Sequence, residues 1–221
     1  SKYANVLNSI ELIDEPASGR GLLNADVLSG IVRSVPAVSA VGKTLVPGVA
    51  LETLRVLAGV PSIAVHMDDA GIESVAVASI KIPTTTSGQW WLHFSDHRER
   101  IQISIAELLA QSEPDPRLQG RVALIGLTAY GLLDSIATPL DYVPGIHVHA
   151  EAIDNVIDER LLTRPSWIKY FEIAGAVSIT AIVIFAVLLL SPLRALIGFV
   201  FCAGSALIIG VFLFLHTGVL F

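Results

Sequence analysis

The residues of this chain whose types and spacing could do chemistry gather between Gly126 and Glu151. Gly126 and Gly131 follow the apolar run Arg121-Val-Ala-Leu-Ile. Exposed backbone amides in such a loop at a helix start would attract a phosphate. The loop lacks both the Gly-Lys-Ser/Thr ending and the three-glycine dinucleotide fingerprint. Turn geometry at the two glycines, with Asp134 bonded to loop amides, is therefore the simpler reading. His147-Val148-His149 would set two imidazoles on one face if extended, with Glu151 as a third metal ligand and Asp134 orienting a ring. Spacing fixes no third or fourth ligand, and a hydrogen-bonded structural His149 is expected instead. Asp134, Ser135 and His149 are the residue types of a hydrolytic triad, but no Gly-x-Ser-x-Gly elbow holds the serine. We expect no catalytic residue, metal or cofactor, and no enzyme within this chain.

The elements that must position these groups follow from the flanking pattern. Arg121 to Ile125 reads as a buried strand stopped by Gly126, and the loop continues through Thr138-Pro139 and Pro144-Gly145. From about Ala150, apolar Ile153, Val156, Ile157, Leu161 and Leu162 recur at helical spacing, and Arg164-Pro165 ends that helix. The candidate ligand-binding or signal-coupling residues are Gly126, Thr128, Gly131, Asp134, Thr138 and His149. All lie within one helix of an uncharged segment.

The order IGLTAYGLLDSIATPL, then PGIHVHAEAIDNVI, then two hydrophobic spans resembles the second type of CHASE domain, the cyclase/histidine-kinase-associated sensory extracellular domain. The resemblance covers most of residues 20 to 165 and includes no catalytic signature. It implies a domain outside the cytoplasmic membrane, tethered to an adenylate or guanylate cyclase, a histidine kinase or a Ser/Thr kinase inside. Asn24, Asp26, Gly30 and Arg33 resemble a further family pattern, with Ser29 where an acidic residue is common. The resemblance also implies that residues 1–165 form the later part of a sheet whose earlier part is missing, leaving an unpaired strand edge.

Earlier elements read as alternating strands and helices. Residues 4 to 13 could hold one short helix, and residues 21 to 49 read as paired strands joined by turns. Pro47 opens a helix through Val49, Leu51, Leu54, Val56 and Leu57 that Gly59 stops. Ser74 to Ile82 and Gln89 to Phe94 read as a strand pair across Pro-Thr-Thr-Thr-Ser-Gly, with Trp90 and Trp91 as core packing. Ile103 to Ala110 reads as a short helix. The sum is an α/β layered domain, residues 1–165, followed by a transmembrane α-helical hairpin, residues 166–221.

Charge supports that division. Of 20 acidic and 14 basic side chains, all but Lys169, Glu172 and Arg194 precede residue 166. A net charge of -6 argues against a nucleic-acid partner. The single Cys202 leaves the first part without disulfides or thiolate ligands. Spans at about 170–190 and 195–215 are each long enough for a hydrocarbon core of roughly 30 Å. Trp167, Tyr170 and Phe171 sit where an aromatic belt belongs, and Arg194 in the tight turn favours a cytoplasmic turn. Gly198, Ala203, Gly204, Ala206 and Gly210 suit close helix packing. The expected partners are the lipid bilayer, a second copy or further transmembrane helices, and a small-molecule or protein signal. The expected role is multi-pass sensory input at the cytoplasmic membrane; the alternative is an accessory membrane subunit whose soluble domain docks a partner complex.

Overall fold

The computed structural model describes residues 2–24, 26–28, 30–95, 101–128, 135–164, 168–189 and 191–217. The chain starts with β1 (Lys2–Tyr3) and a single-turn α1 (Glu11–Asp14), shorter and later than the helix expected over residues 4–13. Two hairpins follow, as the turn-punctuated sequence requires: β2 (Asp26–Leu28) with β3 (Ile31–Pro36), and β4 (Val38–Val41) with β5 (Thr44–Pro47). β1 adds in parallel to β4. α2 (Val49–Ala58) then starts after Pro47-Gly48 and stops at Gly59. Gly59 adopts φ 64, a left-handed conformation that glycine takes without a Cβ penalty, and its N–H donates to the Arg55 and Val56 carbonyls.

β6 (Ala64–Asp68), β7 (Gly71–Val77) and β8 (Ile80–Pro83) form an antiparallel meander. The imperfect alternation over Ser74 to Ile82 is thus two strands and not one, because the chain reverses at Ala78 with φ 51. β9 (Gln89–Trp91) pairs with β3 and not with this meander, with Trp91 opposite Ser34 and Trp90 opposite Val35. Bonds from Thr85 N to the Gln89 carbonyl and from Gly88 N to the Thr85 carbonyl turn the chain toward that partner. The non-local edge of β3 wins over the nearer strand.

After α3 (Ile105–Leu109) and a 3-10 turn at Pro116–Leu118, residues 121–128 form no strand. This corrects the expected Arg121–Ile125 strand: Val122, Ile125 and Leu127 are exposed, and Leu124 packs partly against the core. An apolar run becomes a strand only where a partner edge accepts its hydrogen bonds. The hairpin of β10 (Ser135–Ala137) and β11 (Tyr142–Pro144) leads straight into α4 (Gly145–Ile157).

α4 begins about five residues earlier than its periodicity suggests and ends before Leu161. Its end is a Schellman motif without glycine: Glu159 sits at φ 56, its N–H donates to the Val156 carbonyl, and Arg160 N–H donates to the Asn155 carbonyl at 2.8 Å. The next apolar residues serve as anchors, with Leu162 buried and Leu161 against the core. One core joins α2, α4 and the sheets: Leu51, Val75, Ile82, Trp90, Val148, Ala152 and Val156 are all buried in it. Each large side chain there contributes about 1.5–3 kcal/mol.

α5 (Ile168–Leu189) and α6 (Pro192–Thr217) close the chain and touch each other. Among the described residues, α5 is the helix long and apolar enough to cross a membrane, and the apolar stretch of α6 is Leu196–Phe212.

Candidate functional site

β3 and β9 exchange their last ladder bond where Leu92 N–H donates to the Arg33 carbonyl at 3.0 Å. Beyond it the chain has left the sheet, and its backbone polar groups need partners. α4 provides them. Asn155 Oδ1 accepts from His93 N–H at 2.6 Å, and Asn155 Nδ2 donates to the His93 carbonyl at 2.9 Å. One turn earlier, Glu151 Oε1 accepts from both the N–H and the hydroxyl of Ser95, each at 2.9 Å. Two side chains at i and i+4 thus continue, from a helix, the hydrogen bonding a neighbouring strand would give.

The local sequence explains why they can. At 100° per residue, Val148, Ala152 and Val156 form the centre of the inner face of α4, with Glu151 and Asn155 on one flank and His149 and Ile153 on the other. All seven are buried. A carboxylate and a carboxamide at 1% and 2% exposure persist because hydrogen bonds offset their desolvation.

Of the candidate residues, Gly126 lies against the first turn of the same helix and His149 lies within it. Gly126 lies against Ile146: a Cβ at 126 would come within 2.7 Å of the Ile146 Cβ, so only glycine allows this approach. Thr138 closes the β10–β11 turn, its N–H and hydroxyl donating to the Asp141 carbonyl at 2.9 and 2.7 Å, while Asp141 N–H donates back to the hydroxyl. His149 is buried in α4. Thr128 is exposed. Gly131 and Asp134 lie outside the described residues.

Two sequence readings change here. His147 and His149 stand on a helix, about 160° apart, so they share no face and the His147/His149/Glu151 ligand set does not form. The phosphate-loop reading needs a strand before Gly126 and a helix opening after Gly131. Residues 121–128 are not a strand, so the first of these is not met. Glu151 and Asn155, by contrast, hold the best-defined polar geometry. Their signal in the sequence was two polar residues one turn apart beside an apolar stripe.

A second polar cluster fixes the loop before Gly126. Asp115 accepts from Arg117 through both side chain and backbone, with Gln111 adding a longer bond, and Arg117 also pairs with Glu107. The Arg117 hydrogen bonds pull the Asp115 carboxyl down to about 2.

Between α4 and α5 the connecting chain is braced. Arg164 Nη2 donates to both carboxylate oxygens of Glu172, at 3.0 and 3.2 Å. Glu172 heads the half-buried stripe Glu172, Gly175, Ile179, Val183 and Ala186 on α5. Its spacing of three and four residues is that of a packed helix face. Ile168 is fully buried, Tyr170 and Phe171 are exposed, and Lys169 lies 5.0 Å from the Tyr170 ring centre. Trp167 is outside the described residues.

The fold is, as a class, a mixed α/β domain followed by a helix long and apolar enough to cross a membrane. The chain belongs to the CHASE2 domain family, whose model matches residues 2–191, and CHASE2 domains are extracytoplasmic sensor domains of signalling proteins. Comparison with curated proteins and with solved structures gave no match.

Proposed function

We propose that this chain is the sensory input and transmembrane relay of a bacterial receptor whose output is an adenylate or guanylate cyclase, a histidine kinase or a Ser/Thr kinase. The observation that carries this reading is the continuity from sensor to span: the family match runs on through α5, and the Arg164–Glu172 pair ties the end of the folded domain to the first turns of that helix. A displacement of α4 reaches α5 through the anchors Leu162 and Ile168 and through this ion pair. The route is thus α4, ending at Ile157, and an anchored linker, in place of the single helix from about Ala150 to Leu162 that the sequence suggested.

In this reading residues 1–165 lie outside the cytoplasmic membrane, and α5 and α6 cross it as a hairpin with Arg194 in the inner turn. The half-buried stripe on α5 and its contact with α6 support the hairpin. The small residues of α6 leave room for a second copy or further spans. Gly126, Thr128, Gly131, Asp134, Thr138 and His149 are the signal-coupling candidates for a small-molecule or protein signal.

Cysteine labelling in intact cells tests the arrangement, using Leu7→Cys and Arg194→Cys each with Cys202→Ser. Leu7 is 99% exposed, so its reactivity reports only the side of the membrane. Position 7 should react with an impermeant maleimide from outside and position 194 only after permeabilisation. The opposite pattern would overturn the topology and with it the sensory role.

A further inference from the structure

The apolar face of α4 packs into the core, and its Glu151 and Asn155 flank is tied in addition by side-chain hydrogen bonds to His93 and Ser95, just past the end of β9. We infer that the two-point grip of Asn155 on the His93 peptide, backed by Glu151 on Ser95, is a releasable latch that sets the position of α4, and that residues 93–95 are the lever that works it.

Three observations carry this. First, the bonds attach α4 to a segment 62 and 56 residues earlier, so they join α4 to the chain leaving β9 and not to its own neighbours. Second, the lever begins where the β3–β9 ladder ends at Leu92, so His93 to Ser95 can move without breaking a sheet bond. Third, both latch residues are almost fully buried, where a released carboxylate or carboxamide must find new partners or solvent. Opening is therefore a discrete change and not a gradual slackening. Asn155 and Glu151 are positioning residues in this scheme: they bind the lever and pass its state to α4. Because α4 runs into the Arg164–Glu172 brace, opening also loosens the placement of α5.

This inference rests on the sensory reading above, and its test uses no output activity, so the two can fail separately. The full chain is placed in lipid nanodiscs and amide hydrogen exchange is read at His93 and Ser95. In the parent both amides should be protected although neither is in a ladder. Asn155→Leu should speed exchange at His93 by about tenfold or more, with Val35 and Trp90 in the β3–β9 pair unchanged. Spin labels at Leu45→Cys and Ile173→Cys, with Cys202→Ser, should then give a broader or shifted distance distribution than in the parent. Should Asn155→Leu not fold, Asn155→Asp serves: it keeps an acceptor for His93 N–H, loses the donor to the carbonyl, and should give a smaller effect of the same sign. Exchange of His93 in the parent at the rate of a free loop amide would overturn the latch. So would a variant in which His93 is released while the label distances stay as in the parent.

Discussion

The carboxamide of Asn155 and the peptide unit of His93 bind each other at both ends, 2.6 Å from N–H to Oδ1 and 2.9 Å from Nδ2 to carbonyl. This is the pairing a β-strand offers its neighbour, made here by one helical side chain. Removing it leaves a donor and an acceptor of a half-buried peptide without partners. Asn155→Leu in the detergent-solubilised chain should lower the unfolding free energy of the domain by about 2–4 kcal/mol, measured by urea denaturation. A loss under about 0.5 kcal/mol would mean that solvent replaces the side chain.

Gly126 and Ile146 form the second tie to α4. Gly126→Ala should cost about 1–3 kcal/mol, as expected for overpacking. Ile146→Ala in the same chain should recover part of that loss, because it vacates the space the new methyl needs. Non-additivity in a double-mutant cycle is the readout; simple additivity would place the two residues apart.

Glu159 holds a left-handed backbone at φ 56 to end α4. Glycine takes that conformation without strain, so Glu159→Gly should raise stability by about 0.5–1 kcal/mol, offset in part by the greater freedom of the unfolded chain. Thermal unfolding checks the sign. Destabilisation would show that the side chain of Glu159 contributes more than its backbone costs.

Asp115 supplies the pH dependence. Its folded carboxyl is lowered to about 2 by the Arg117 hydrogen bonds, below the ordinary aspartate value near 3.8. A depressed carboxylate stabilises the fold fully above the unfolded value, and the contribution is lost as pH falls through the folded one. Acid should therefore loosen the 107–117 cluster between about pH 4 and pH 2, and Asp115→Asn should flatten that dependence. A titration of the Asp115 carboxyl carbon near the ordinary aspartate value would contradict it.

Local chemistry made some elements readable. Pro47, the apolar spacing of α2 and Gly59 all act within ten residues, and the length of α5 needs only uncharged residues in a row. The expectations that changed depended on distant partners. β9 alternates like a strand, but its choice of β3 over β8 is set by the turn at Thr85 to Gly88. Leu161 and Leu162 keep the helical period of α4, and only the Glu159 conformation reveals that they anchor a linker. His147-Val148-His149 fits either period, and Pro144-Gly145 starting a helix decided it. At the candidate site, Thr138 and Gly126 are explained by turn closure and close packing around α4. The pairing of Asn155 with His93 crosses 62 residues, so the polar residues beside the apolar stripe of α4 do not name their partner.

The relay itself is tested most directly at Arg164 and Glu172, in the full-length receptor in its native membrane, by measuring output activity. The ion pair is partly exposed and is worth up to about 1 kcal/mol, which is enough to shift a two-state output by about fivefold. Arg164→Glu and Glu172→Arg should each change basal output in that range, and the double exchange should return it toward the parent level. Well-folded single variants with parental output would contradict transmission through this brace.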